Sequence, residues 1–302
     1  MNCTLSVVMP VYNTEPLLLD RSVGSLLDQE YRDLELILVD DGSGEQTARR
    51  LDQLAEQDTR IRVIRQENQG ASAARNTGIR AASGRFLTMM DADDAILPEA
   101  YGQVIRKMLK TGADTGVFGY RRVRASGASG TSGASGAFGP SGEALTVRNT
   151  EQAEFFPAVR GSRAALITPE RLLPAVTAAD HLRGGGFPWN KVWDVSRIGG
   201  AELFDQDLFS YEDKLWCVRM YLKCRKILLL PDLYYSYYQA ENGLSKMESG
   251  GAAAAARKRE NAIRAYRRIL ETLPPLSPAY AAAAGFLLKT QIMGIVKGTW
   301  ES

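Results

Sequence analysis

Three short apolar runs near the start of the chain each stop abruptly at acids or turn formers. Leu5–Pro10 runs into Val11-Tyr12-Asn13, Leu34–Val39 into Asp40-Asp41-Gly42-Ser43, and Phe86–Met90 into Asp91-Ala92-Asp93-Asp94. Between them lie stretches with helical apolar spacing, Pro16 to Gln29, Glu45 to Gln57 and Ala71 to Ala82, and a further short strand, Ile61–Ile64. Apolar runs of this length suit buried strands, and strands alternating with helices imply βαβ units. The expected fold is therefore α/β, a doubly wound, mostly parallel sheet with helices on both faces. A helix over Pro98–Lys110 and a strand over Thr115–Tyr120 extend it. Such a sheet binds its ligands at the carboxyl ends of the strands, which is where the acids of the 91–94 turn would stand.

Composition removes several classes of function. With 302 residues, 45% of them apolar and 24% charged, the chain has ordinary globular composition and can bury a large core. A net charge of +2 is too small to argue for nucleic acid. Cys3, Cys217 and Cys224 match neither a zinc site nor a disulfide framework and read as reduced thiols in a cytoplasmic protein. Leu5–Pro10 already reads as a strand, so no secretory leader is expected, and the nearly apolar stretch Ala279–Leu288 is too short to span a bilayer. No GxGxxG follows the first strand and no GxxxxGK[ST] occurs, which argues against a dinucleotide oxidoreductase and a P-loop NTPase. Phosphates, if bound, would be handled by a metal.

The residues at the strand ends suggest that chemistry. Side chains alternate in extended backbone, so Asp91 and Asp93 point the same way and could together hold one hard cation. The plainer alternative is a polar turn, with Asp94 capping the helix near Pro98. Pro10 and Tyr12 offer a rigid turn and an aromatic face for a nucleobase, and Asp41 could accept from a base N–H, favouring uracil or a similar imide. Taken singly, Tyr12 would pass as a half-buried core aromatic and Asp41 as a turn residue before Gly42. Arg75 lies in the first turns of a helix beginning near Gly70 and Ala71, where guanidinium and helix dipole could face an anion or a base edge; otherwise it is a surface arginine.

Four motifs, taken together, resemble the family 2 glycosyltransferases of GT-A fold: Pro10-Val11-Tyr12-Asn13, Val39-Asp40-Asp41-Gly42-Ser43, the segment Asn68 to Gly78, and Asp91-Ala92-Asp93-Asp94. They stand in the family's order, with a close match over about residues 4 to 120 and a looser one to about 245. The resemblance implies that Asn68 and Gly70 line the nucleotide pocket. It also implies that Asp91 meets the ribose or the metal, and that Asp93 binds magnesium or manganese bridging a diphosphate. Phe187-Pro188-Trp189-Asn190-Lys191 resembles the stretch that precedes the family's catalytic acid, and Tyr211-Glu212-Asp213 opens the next helix. The resemblance makes Asp213 the general base, with Glu212 beside it; acids at a helix start can also serve only as dipole complements. Trp189 either shapes an acceptor cleft or belongs to the core.

The remaining segments are read as follows. Ala125–Gly142 is almost wholly Ser, Gly and Ala and is expected to be a flexible surface insertion. Leu228–Leu230 and Tyr234–Tyr238 read as closing strands; Ser236, Gln239 and Asn242 stand where family members often carry a basic residue, with Lys246 a weak substitute. His181 reads as a surface residue. Residues 252–273 suit a basic amphipathic helix, either packed on the catalytic domain or lying on an anionic membrane. The expected organisation is a catalytic domain over 1–245, comprising a nucleotide-sugar half (1–120), the insertion (125–142) and an acceptor-side half (145–245), with a C-terminal helical appendage over 246–302. The expected enzyme is an inverting, hexosyltransferase-type glycosyltransferase. It would act in the cytoplasm or at the inner membrane face, moving sugar from a nucleotide-sugar, UDP-linked, to a saccharide, lipid-linked or glycoconjugate acceptor in surface polysaccharide or glycoconjugate synthesis. Its rivals are a metal-dependent nucleotidyltransferase, for which Pro10–Pro16 lacks the Gly-rich basic loop, and a nucleotide-sugar-binding module without transfer.

Overall fold

The computed structural model describes residues 4–124, 163–178, 186–239 and 251–300. Its first elements follow the expected alternation: β1 (Leu5–Val11), α1 (Pro16–Leu27), β2 (Leu34–Asp41), α2 (Glu45–Gln57), β3 (Ile61–Gln66), α3 (Ala71–Ala81) and β4 (Phe86–Met89). β1 lies between β2 and β4 and parallel to both, with β3 parallel along the far side of β2. All four strands therefore deliver their carboxyl ends to one edge.

Beyond β4 come β5 (Ala95–Ile96), α4 (Ala100–Thr111), β6 (Thr115–Arg124), β7 (Ala165–Ile167), α5 (Pro169–Thr177), β8 (Lys191–Asp194), α6 (Glu212–Leu222) and β9 (Ile227–Gln239). The sheet order is β3-β2-β1-β4-β8-β6-β9-β5, with β7 also on β9. β8 is antiparallel to both β4 and β6, β9 is parallel to β6, and β5 and β7 are antiparallel to β9. Six strands thus share one direction, and β5, β7 and β8 oppose it. The two closing strands read from the sequence are one strand, because β9 continues through Pro231 and Asp232 while its ladder with β6 shifts register around Gly119.

Alternation along the strands builds two cores. Leu5, Val7, Met9 and Val11 of β1 face one way, with Leu36 and Leu38 of β2, against Leu19, Val23 and Leu26 of α1, Leu51 of α2 and Val104 and Met108 of α4. Val8, Ile37, Val39, Leu87 and Met89 face the other way, toward Ala74 of α3, Leu172 of α5 and Leu215 and Val218 of α6. Each such side chain contributes roughly 1.5–3 kcal/mol on burial, and a one-residue slip would turn every one of them to the wrong face. Gly78 lets α3 lie hard against β1, since a Cβ there would stand 2.2 Å from Cγ1 of Val8. This close seating fixes the depth at which α3 carries its side chains.

Two further helices, α7 (Gly251–Thr272) and α8 (Pro278–Trp300), complete the second core with Ala265, Tyr266, Ile269, Leu273, Ala279 and Ala283. The helix read over 252–273 therefore packs on the α/β body. Among the described residues, no helix is long and apolar enough to cross a membrane.

Candidate active site

The turn after β4 is gripped from two sides. From α1, Ser22 Oγ donates to the Asp91 carbonyl (3.1 Å) and Arg21 Nη2 to the Asp93 carbonyl. From β9, the Tyr235 hydroxyl donates to Asp94 Oδ2 (2.6 Å), and the Tyr238 N–H donates to Asp94 Oδ1 (2.8 Å). Asp94 is fully buried and does not cap a helix: α4 begins at Ala100 behind Glu99, and the Asp94 carboxylate instead ties the turn to β9. The side chains of Asp91 and Asp93 stay half-buried. Burial, then the charge of Asp91, pushes the Asp93 carboxyl up to about 6, against the pull of Arg21. Arg21 lies 3.5 Å above the Tyr238 ring and gives its hydrogen bond to a carbonyl, so it offsets the acids only in part.

The loops after β1 and β2 interlock. Asn13, in left-handed backbone (φ 50°), accepts from the Gly44 N–H at Oδ1 (2.7 Å) and donates its own N–H to Ser43 Oγ (3.0 Å). Asp40 Oδ1 accepts from the Ser43 N–H (2.9 Å). Asp41 accepts at Oδ1 from Gln66 Nε2 (2.8 Å) and the Gln69 N–H (2.9 Å), and at Oδ2 from the Gly70 N–H (2.8 Å). Its carboxylate thus holds the loop that enters α3, and Oδ2 keeps one lone pair. Gly42 (φ 76°) has no Cβ for good reason, because one would stand 2.9 Å from the Asn68 nitrogen. Pro10, Tyr12, Asp41, Asn68 and Gly70 are gathered at the carboxyl ends of β1, β2 and β3, with Tyr12 and Asn68 exposed.

Arg75 is not a surface arginine. It is 8% exposed, its Nη2 donates to Asp91 Oδ1 at 3.1 Å, and its Nη1 lies 3.7 Å from Glu212 Oε1. Its Cζ is 5.3 Å from the Phe204 ring centre, and its Nε is buried without a hydrogen-bond partner among the described residues. Burial works against the cation, but Asp91, Glu212 and Asp213 together hold it above the ordinary arginine value. The same residue thereby joins the acids after β4 to the acids that open α6.

Those acids follow Tyr211, a non-glycine residue in left-handed backbone (φ 64°, ψ 5°), a conformation that costs of order 1–3 kcal/mol and persists only where neighbours enforce it. Burial and then Asp213 push Glu212 up to about 7, with Arg75 opposing. Burial also raises Asp213, against Arg75 and the Lys214 N–H, which donates to Asp213 Oδ1 at 2.7 Å. Both carboxyls keep part of their surface open. Lys191, fully buried, donates to the Phe187 carbonyl and to Asn190 Oδ1 (2.6 Å); burial lowers it to about 8, against Cys217 and Asp213.

Trp189 belongs to the core. Its indole stacks on Tyr235 (4.4 Å) and Phe187 (4.9 Å), so it is packed among aromatics. His181, Asn242, Lys246 and the stretch 125–142 lie outside the described residues. Arg21 and Gln66 support the site and carry no motif of their own, while Asn13, within the first motif, and Tyr235, within the tyrosine strand, gain their supporting roles only from their partners in space. Among the described residues there is no group of three His, Cys, Asp or Glu side chains that could hold a metal. Asp91 and Asp93 supply hard oxygen donors under mutual repulsion, a donor set whose chemistry fits one divalent cation.

Residues 6–151 match the family model described as Glycosyl transferase family 2. Glycosyltransferase GlyG of Streptococcus pneumoniae is 27% identical over 256 residues, covering 82% of this chain and 75% of that protein. The uncharacterized glycosyltransferase EpsJ of Bacillus subtilis is 25% identical over 244 residues, covering 80% of this chain. The chain spans only 63% of the length of EpsJ. Among solved structures, S. aureus TarS in complex with UDP-GlcNAc superposes with a TM-score of 0.67 at 21% identity, over 94% of this chain and 71% of that one. The chain has the GT-A fold.

Proposed function

We propose that the chain moves a sugar from a nucleotide diphosphate donor to an acceptor hydroxyl with inversion, a reading supported by the match of residues 6–151 to the family 2 glycosyl transferase model and by the GT-A fold. The observation that carries this reading is Arg75, whose guanidinium touches Asp91 on one side and Glu212 on the other. A donor-side acid and an acceptor-side acid are thereby brought within one side chain of each other.

In this reading the nucleobase rests on exposed Tyr12 beside Pro10, with Asn68 and Gly70 along the wall. Asp41 fixes that wall, and its remaining Oδ2 lone pair suits an imide N–H, which favours a UDP-linked sugar. Asp93 and Asp91 would hold magnesium or manganese, which when bound offsets charge on the diphosphate as a Lewis acid. Asp213 takes the proton of the acceptor hydroxyl, the acceptor oxygen forms a bond to the anomeric carbon, and the bond to the diphosphate oxygen breaks with its electron pair leaving on that oxygen. Attack from the face opposite the diphosphate inverts the configuration. Arg75, 3.7 Å from Glu212, offsets the negative field that the neighbouring Glu212 sets up at Asp213.

For the acceptor, a saccharide, lipid-linked or glycoconjugate hydroxyl fits. The exposed basic side chains Arg257, Lys258, Arg264 and Arg267 of α7 suit an anionic carrier or membrane surface, and a role in surface polysaccharide or glycoconjugate synthesis follows. The test is Asp213→Asn. Calorimetric binding of UDP with manganese should be retained while sugar transfer is lost by ~10²–10⁴-fold, and turnover at the wild-type rate would remove the base assignment.

A further inference from the structure

The segment that delivers Glu212 and Asp213 is held by a helix far along the chain. Upstream, Phe204 is tied to α3 by both amide atoms of Asn76, at 2.6 and 2.9 Å. From Asp205 onward α7 takes over. Arg268 pairs with Asp205 and, at 3.2 Å, with Asp207, while Arg264 Nη1 donates to the Asp207 carbonyl (3.3 Å). Asn261, with no surface exposed, donates through Nδ2 to the Ser210 carbonyl (2.5 Å) and Ser210 Oγ (3.0 Å), and accepts the Phe209 N–H at Oδ1 (3.3 Å). One buried amide therefore satisfies three groups in the residues just before the strained Tyr211.

The far side of the same corner is closed by aromatics. The Tyr211 ring stands 5.7 Å from Tyr266 of α7 and 6.0 Å from Phe286 of α8, and those two rings are 4.1 Å apart. Lys214, next to Asp213 and buried, donates through Nζ to the Tyr266 hydroxyl (2.9 Å), which donates in turn to the Thr177 carbonyl (3.2 Å). A left-handed tyrosine persists only where its surroundings over-determine it, and here α7 and α8 supply those surroundings.

We propose that α7 is part of the catalytic apparatus, with Asn261 and Tyr266 as positioning residues that fix the approach of Glu212 and Asp213 to the acceptor. This rests on the reading of those two acids as the groups that serve the acceptor. Among the described residues, the hydrogen bonds and ring contacts of Asn261 and Tyr266 go to residues 209–214, Thr177 and Phe286 and not to the loops at the ends of β1, β2 and β4, so their loss should act on the transfer step and not on nucleotide binding. A displacement of about 1 Å in a reacting group can cost ~10²-fold in rate.

The experiment uses the full chain, with Asn261→Ser and Tyr266→Phe made separately. Nucleotide release is followed from whichever of a panel of UDP-, GDP-, CDP- and dTDP-sugars the unaltered protein turns over fastest with manganese. The expected result is a kcat per folded molecule lowered ~10-fold or more, with the donor KM and the calorimetric affinity for UDP unchanged. A merely structural role would lower the folded fraction and leave kcat per folded molecule alone; that result, or a kcat loss matched by lost UDP affinity, overturns the proposal. If Asn261→Ser does not fold, Tyr266→Phe, which removes a single oxygen, is decisive by the same criteria. Asp213→Asn in the same assay separates the two layers. Wild-type release from it defeats the reading of the acids, whereas an inactive Asp213→Asn beside a fully active Asn261→Ser defeats only the positioning role.

Discussion

The turn carrying Asp91 and Asp93 and the corner carrying Glu212 and Asp213 both hold paired acids in partly buried places, but their supports and their charge balance differ. The turn is held from α1 and β9, which surround the carboxyl ends of the sheet; Arg75 reaches its Asp91 at 3.1 Å, while Arg21, beside Asp93, gives its hydrogen bond to a carbonyl. Asp93 is left with a carboxyl pushed up to about 6 by burial and Asp91. The corner is held from α7, and Arg75 faces its acids directly. An acid pair in which the arginine meets Asp91 while repulsion and burial raise Asp93 is suited to a metal ion, whereas an acid pair raised toward neutral pH beside the same cation is suited to accepting a proton. One local chemistry, paired acids at the end of an element, is thereby suited to two uses by its burial and by how the shared Arg75 meets it.

The contrast breaks most visibly at the turn. Asp93→Asn removes one of the two carboxylates proposed to hold the metal, so any gain in UDP affinity on adding manganese should vanish; an unchanged manganese-dependent titration would mean that the two acid pairs are not specialised in this way. Arg75→Met is the next largest effect. In the proposed mechanism transfer needs Asp213 ionised, and burial raises both Asp213 and its neighbour Glu212, so the rate should fall as pH drops below the raised range of this pair. Arg75 lowers both corner acids. Its removal should therefore move the acid limb of the rate profile to higher pH, and a limb that stays in place would show that Arg75 serves only the turn.

The smallest effect sharpens the geometry. Gly78→Ala forces a Cβ toward Val8, and overpacking of this kind costs ~1–3 kcal/mol. A lowered melting temperature is expected, with a fall in kcat beyond the change in folded fraction because α3 carries Arg75 between the two pairs. Loss of stability with full activity per folded molecule would show that the bridge tolerates displacement.

Much of the proposed donor side was legible in the sequence because its motifs are contiguous in the chain. The apolar runs and their terminal acids gave the four parallel strands, and Glu45–Gln57 has the bounds that its periodicity predicts. Asp91, Asp93 and Arg75 each stood in a recognisable motif, although Arg75 proved to face acids. What was illegible depends on distant pairing. β5, β7 and β8 are two, three and four residues long, too short for an alternation signal. Asp94 looked like a helix cap because its partner Tyr235 lies 141 residues away, and Arg21 meets Asp93 across 72. Asn261, one polar residue on a basic helix, gave no sign that it would close on Ser210. The Pro231-Asp232 pair suggested a break in β9, which the ladder with β6 absorbs by shifting register.

The account stands on the donor-side and acceptor-side acids forming one site across Arg75. A crystal structure of the full chain with UDP and manganese tests this most directly. It should place the ion on Asp93 and Asp91, the uracil against Tyr12 and Asp41, and the terminal phosphate facing Asp213 with room for a hexose between them. An ion bound away from Asp93, or a diphosphate that points away from Asp213, would contradict it.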